Sequence, residues 1–396
     1  MWFLREGRDA LVLTACQALF WAGLLVSITL TGLVGQIIAP DPVLATLPVA
    51  LLTVANIVLT RPISLLMQRR GRRAGFSLGA LAGALGGLIC VVGIFRADFT
   101  VFCLGNVVLG AYQAAAQYYR LAAVDKVAPE RRGRAVSLVL SGAILAALVA
   151  PSLALWTKDL FAPVTFAGSF MALSVLSVAT LIPLALLSPH SATSAEARGG
   201  GRPMGEILRQ PIMIAALVNA AAGHAVMVLV MNATPLAMVA CNHTVGDAAG
   251  VIRAHVLGMF VPSFFTGKLI DRLGAPAIAA AGAVILAASA MVSAWDQGLG
   301  HFQVGLVLLG LGWNFMYIAG TTMLTQSYRP EERGRVQGMA EMTIAACAAL
   351  ASFGSGGLLN AFGWQAVNMG AAPVLAVSLG VTLWYAAGRR RVAELA

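Results

Sequence analysis

The feature that most limits what this chain can become is a recurring apolar window. Stretches of about 20 residues with almost no charge return along the whole sequence, each long enough to cross the hydrocarbon core of a bilayer as an α-helix. They fall at 11–32, 44–66, 75–95, 100–122, 136–156, 163–187, 212–236, 251–267, 275–294, 302–325, 337–360 and 365–387. With 59% of its residues hydrophobic and 11% charged, the chain lacks the polar surface a soluble domain needs. A backbone in lipid must satisfy its own hydrogen bonds, and uninterrupted helices do so. The windows therefore predict an all-α membrane protein of twelve transmembrane helices, of which the eighth is the shortest.

The formal net charge of +10 would by itself invite nucleic acid as a partner. The placement of the charges argues against that. Of 26 Lys and Arg, all but Arg96, Lys158 and Arg253 lie on every second connection or at the adjoining helix ends. This is the positive-inside bias. It puts both termini in the cytoplasm and gives the basic residues lipid headgroups to meet. The N-terminus carries charges and then an apolar run with no small-residue cleavage site, so the first helix is expected to be retained. The five cysteines, Cys16, Cys90, Cys103, Cys241 and Cys347, form no CxxC pair and predict no disulfide framework.

The chain repeats itself. Residues 129–134 read PERRGR and residues 330–335 read PEERGR, each between two apolar windows. Residues 68–73, QRRGRR, stand after the second window as 267–274, GKLIDRLG, stand after the eighth, with Gly71 aligned on Gly274. Two six-helix bundles follow, over 1–188 and 212–396. A Ser-, Ala-, Gly- and Pro-rich cytoplasmic linker at 189–211 joins them, with a short interfacial helix near Gly205 to Arg209. GKLIDRLG resembles the loop motif of the major facilitator superfamily at Gly267, Asp271, Arg272 and Gly274, while the first-half copy has Gln68 and Arg69 where an acidic–basic pair is usual. The resemblance implies two bundles related by an axis along the membrane normal, with substrate held near the midplane.

The stretch 223–262 offers a candidate site. Two apolar runs flank the polar turn CNHTVGD. One carries Met227 and Met231, the other His255 and Met259, each pair four residues apart and so on one helix face. Met227 and Met259 lie equally far from residue 243, as do Met231 and His255. In an antiparallel hairpin the four would meet in two layers, and thioether and imidazole suit copper. A methionine pair alone reads as flexible core filler; a histidine in a membrane helix needs a partner or a role. His224, one turn before Met227, is either a further way station for an ion or a hydrogen-bond donor to a helix carbonyl. Pro235 is expected to kink the seventh helix. Cys241 and His243 in the turn are either a capture point for an ion or a helix-end thiol and a solvated loop residue.

Other buried polar groups are expected to face a cavity: Asn56, Asn106, Gln113, Gln117, Asn232, Asn314 and Glu341. Glu341, six residues past Arg335, reads as an ion-pair or proton-coupling group, and Arg61, Arg120, Asp271 and Arg272 as gate or anchor residues on the cytoplasmic side.

The paired motifs also resemble those of the CcoA-type copper importers, bacterial major-facilitator proteins that supply cbb3-type cytochrome c oxidase assembly. That resemblance implies a protein of the bacterial inner membrane. It implies copper as the transported ion rather than a resident cofactor, Met227, Met231, His255 and Met259 as its ligands, Cys241 as an accessory, and copper chaperones of oxidase assembly as partners. The rival readings are a transporter of an organic solute or drug with a methionine-lined cavity, and a membrane assembly factor that moves nothing. An enzyme is not expected, since no nucleophile–base arrangement, phosphate loop or zinc-type ligand spacing appears.

Overall fold

The structure is a computed structural model that describes residues 8–123, 132–188, 201–329 and 332–395. Helices follow the apolar windows: α1 Arg8–Ile38, α2 Leu47–Arg70, α3 Arg72–Phe95, α4 Phe99–Ala116, α5 Arg132–Thr157 and α6 Ala167–Ala179, then α7 Pro211–Ala240, α8 Val245–Phe260, α9 Ser263–Leu273, α10 Ala275–Trp295, α11 Leu299–Thr325, α12 Arg333–Met369 and α13 Ala371–Leu395. Among the described residues, ten helical stretches are long and apolar enough to cross a membrane, and α8 with α9 adds an eleventh that is bent by 41°. The last stretch, Arg335–Gly388, is 54 residues long. At 1.5 Å per residue that is far more than one crossing needs. Gly363 interrupts it at φ 80°, ψ 179°. Divided there, the count agrees with the twelve predicted crossings.

The chain divides into two compact units, Met1–Thr193 with Asn242–Arg253, and Ser194–Cys241 with Ala254–Ala396. Residues 189–200 of the expected linker lie outside the described residues. The rest of it is seated on the second unit: the short helix Met204–Leu208 buries Ile207 completely in a core with Met213, Ile270, Ile278 and Met323. That helix thus has one residue buried in protein, while Gly205 and Glu206 on it are exposed.

Within each unit, sequence composition explains which faces pack. On α3, Leu78, Leu81, Leu85 and Leu88 are exposed and recur at helical spacing, an apolar stripe suited to lipid. The opposite face is small. A Cβ on Gly86 would come within 2.9 Å of the Gly105 carbonyl on α4, and one on Gly105 within 2.8 Å of the Gly86 carbonyl. The second unit repeats the device, since a Cβ on Gly282 of α10 and one on Gly312 of α11 would each lie 2.9 Å from the other's carbonyl. Backbone-to-backbone approach of this kind is how membrane helices pack when lipid supplies no hydrophobic drive. The duplicated connection is repeated too: Gly71 adopts φ 86°, ψ 160° and Gly274 φ 84°, ψ 148°. Both lie in the region that favours glycine.

The eighth crossing departs most from expectation. It starts at Val245 rather than near 251. Thr244 and Asp247 form a reciprocal cap there, the Thr244 N–H donating to Asp247 Oδ2 at 3.0 Å and the Asp247 N–H to Thr244 Oγ1 at 3.1 Å. The crossing breaks before Pro262, which lacks the N–H to continue it. The seventh instead runs unbroken from Pro211 to Ala240 with Pro235 inside it. All five cysteines are free.

Candidate functional site

In the first unit, α1, α2, α4 and α6 surround a small open recess. Its walls are apolar, with Phe20, Leu24, Leu52, Leu109 and Leu173, and its polar groups are neutral, namely Ser27, Tyr112 and Gln113. Phe20 and Tyr112 pack edge to face at 5.0 Å, and the Tyr112 hydroxyl is held by Thr180 at 2.9 Å. The Gln113 side-chain oxygen is buried with no hydrogen-bond partner among the described residues. An orphaned acceptor in an otherwise apolar wall is the kind of group a donor on a solute would satisfy. One turn further on, Gln117 donates to Asn56 at 2.5 Å, closing that pair internally.

In the second unit the organising element is α11, which touches both α7 and α8. A Cβ on Gly320 would lie 2.9 Å from Ala220 N and 3.0 Å from the Ala216 carbonyl of α7. A Cβ on Gly310 would overlap the His255 carbonyl and come within 2.8 Å of Met259 N on α8. Asn314 pins the break in the eighth crossing. Its Nδ2 donates to the Met259 carbonyl and to Ser263 Oγ, both at 2.7 Å, while its Oδ1 accepts from Thr266 Oγ1 at 2.6 Å. The carbonyl released by the helix break thus gains a partner from the next helix over.

All four residues proposed from sequence as metal ligands are buried: Met227, Met231, His255 and Met259. His255 and Met259 share the face of α8 that meets α11. Met227 and Met231 extend the face of α7 that Ala220 and Gly223 turn towards α11. His255 Nδ1 is 2.8 Å from the Leu306 carbonyl, so that nitrogen carries the proton. Nε2 is then a lone-pair site, fully buried and without a partner among the described residues. That tautomer is compatible with a metal ligand. Among the described residues no group of three or more His, Cys, Asp or Glu is placed to hold a metal ion, so any copper site would draw on thioethers and this one nitrogen.

His224 does something the sequence did not indicate. It accepts a hydrogen bond at Nδ1 from the Trp313 indole N–H at 3.0 Å, rather than donating to a helix carbonyl. Trp313 and Tyr317, one turn apart on α11, stack at 5.0 Å with 14° between their planes. Phe260, at the end of α8, meets Trp313 edge-on at 6.3 Å. The result is a rigid aromatic group with no ionised side chain in it.

The remaining candidates stand apart from these two places. Cys241 ends α7, half-buried, with its thiol 3.2 Å from Gln297 Oε1, and partial burial pushes that thiol above its usual pKa. His243 is half-buried in the turn. Arg61, Asp271, Arg272 and Glu341 are exposed, and Arg120 is half-exposed in the short helix Tyr119–Ala122. The strongest charged contact was missed. Glu332, fully buried, accepts from Arg202 Nε at 3.0 Å and Nη2 at 2.8 Å, from Arg202 N at 2.8 Å and from Arg329 N at 2.9 Å. Arg335 donates to the Arg202 carbonyl. These donors, Arg202 first, hold the Glu332 carboxyl well below the usual carboxylate range. The second acidic residue of PEERGR, where the first-half copy has Arg131, was the available signal; Arg131 itself lies outside the described residues.

The Major Facilitator Superfamily model matches residues 10–251 and 224–395. The chain belongs to the major facilitator superfamily. It is thus a multi-pass membrane transporter rather than an enzyme. Among curated proteins, it is 42% identical over 374 residues to the riboflavin transporter RfnT of Brucella anthropi, covering 94% of each chain. It is 28% identical to the uncharacterized transporter YddS of Bacillus subtilis, over 97% of this chain and 92% of that one. YdeG of the same organism is also 28% identical, over 95% and 91%. Among solved structures, a variant of the nucleoside transporter NupG superposes with a TM-score of 0.73 at 14% identity, covering 97% of this chain and 99% of that one. At that identity the likeness speaks for the superfamily fold alone.

Proposed function

We propose that this protein is a secondary transporter of a neutral, planar organic solute of the riboflavin class, working by alternating access. The observation that carries the reading is the 42% identity to a riboflavin transporter across 94% of both chains. A short paired motif samples four residues; this similarity spans 374. The chemistry of the first unit's recess supports it. The recess of the first unit has apolar walls and neutral polar groups, and drug-sized ligands favour such linings. The placement we propose is the bacterial cytoplasmic membrane with both termini inside, and reporter fusions to each end would check it. The deciding experiment is uptake of labelled riboflavin by proteoliposomes holding the purified protein. Saturable uptake above empty liposomes is expected. Uptake equal to empty liposomes, with the protein folded and oriented, refutes the reading.

A second reading, copper import for oxidase assembly, is favoured by one observation: the fully buried Nε2 of His255 has no partner among the described residues. Neutral imidazole and thioether would bind Cu(I) without displacing a proton. It predicts that Met231→Leu and His255→Ala each abolish the copper uptake that the protein confers on cells. Copper uptake unchanged by both substitutions excludes it.

A further inference from the structure

The aromatic group of the second unit has a feature beyond packing. Indole N–H is a donor only, so the Trp313 bond to Nδ1 means that His224 carries no proton on that nitrogen. In the neutral ring the proton therefore sits on Nε2. Among the described residues none accepts it, and His224 is only half-buried. Beside that donor lies the half-buried ring of Tyr317, 5.9 Å from His224 between centroids and backed by the stacked indole of Trp313. The indole is fixed three ways: by its hydrogen bond, by the Tyr317 face and by the Phe260 edge. A flat aromatic face held rigid beforehand loses little freedom when a second flat ring settles on it.

We propose that His224, Trp313 and Tyr317 form the docking site for the solute's ring system. A planar heteroaromatic stacks on Tyr317, and a carbonyl oxygen or ring nitrogen at its edge accepts from His224 Nε2–H. The proposal rests on the riboflavin-class reading, whose isoalloxazine offers both the flat ring and the edge acceptors. It assigns specificity to residues outside the Met and His pairs. It also makes the Trp313 bond a positioning contact that keeps the His224 proton on the nitrogen facing the ligand.

The test uses riboflavin and the purified full chain in detergent. Bound flavin is counted by equilibrium dialysis, and its fluorescence is read in the same samples. Stacking against indole or phenol quenches flavin emission by electron transfer, so bound riboflavin should be dark. Tyr317→Leu and Trp313→Leu should each weaken binding at least about fivefold and restore emission to whatever flavin still binds. If Trp313→Leu does not fold, the half-buried Tyr317 position decides. His224→Phe keeps an aromatic ring but removes the donor, so it should weaken binding about tenfold while flavin at saturation stays dark. Bound flavin that remains fully emissive on the unaltered protein, or unchanged affinity in Tyr317→Leu and His224→Phe, overturns the docking site and leaves the riboflavin reading standing. Failure of the unaltered protein to bind or take up riboflavin overturns both.

Discussion

Replacing Asn314 by leucine is the sharpest probe of how this fold tolerates a broken membrane helix. The substitution keeps the branched outline of the side chain, with more bulk, and removes three hydrogen bonds, to the Met259 carbonyl, Ser263 and Thr266. Side-chain hydrogen bonds between membrane helices average about 0.6 kcal/mol each, so the three account for about 2 kcal/mol. The Met259 carbonyl has no following N–H to fall back on, because the helix stops at Phe260, and a stranded buried acceptor costs about 1–3 kcal/mol. With partial overlap between these terms, the expected loss is about 3 kcal/mol, a factor of more than about 100 in the unfolding equilibrium. Equilibrium unfolding in mixed detergent–SDS micelles, followed by tryptophan emission, measures it. Thr266→Val should cost under about 1 kcal/mol, since it loses one bond of the group. In the double variant it should add less to Asn314→Leu than it costs alone, because only the Thr266 hydroxyl's bond to the Pro262 carbonyl, 2.8 Å, is then left to lose. A loss below about 0.5 kcal/mol for Asn314→Leu, or full additivity with Thr266→Val, would refute the idea that Asn314 holds the break together.

Further outcomes follow from the same geometry. Gly310→Ala should destabilise the protein by about 1–3 kcal/mol in the same assay, because its Cβ overlaps the His255 carbonyl and α8 must shift. Gln113→Leu removes an orphaned buried acceptor, so it should raise thermal stability slightly while lowering riboflavin uptake; higher stability with undiminished uptake would deny Gln113 a part in transport. The Glu332 carboxyl titrates lower in the folded chain than in the unfolded one, so its contribution is complete above the ordinary glutamate range and disappears as pH falls towards the depressed value. The gap in melting temperature between the unaltered protein and Glu332→Gln should therefore be full at neutral pH and shrink on acidification below about pH 4. A gap that does not change with pH would place the effect outside the carboxylate.

Much of the fold was legible because lipid imposes simple rules. Apolar length marked the crossings. Gly71 and Gly274, aligned from sequence, share a backbone conformation. Less legible was anything decided by which helix sits beside which. Reading Met227, Met231, His255 and Met259 as one hairpin assumed that neighbours in sequence are the relevant partners. In the structure, the groups that meet His224 and His255 come from the tenth crossing, 89 and 51 residues away. Hydropathy also missed the true start of the eighth crossing. The polar run through Thr244 and Asp247 looked like a turn, although Thr-x-x-Asp before an apolar run is itself a cap signature. Pro235 and Pro262 look alike in sequence, yet helix α7 continues past the first and the eighth crossing breaks at the second.

The break at Pro262 also has a bearing on how the protein is made. The carbonyl of Met259 is satisfied by a side chain 55 residues further along. At about 5–20 residues per second, the ribosome delivers Asn314 roughly 3–11 s after Met259. Until then the eighth segment is an incomplete membrane helix with an unmet polar group. Its settled insertion must await the tenth, which makes this protein a natural case for studying how a translocon shelters a segment that cannot yet stand alone.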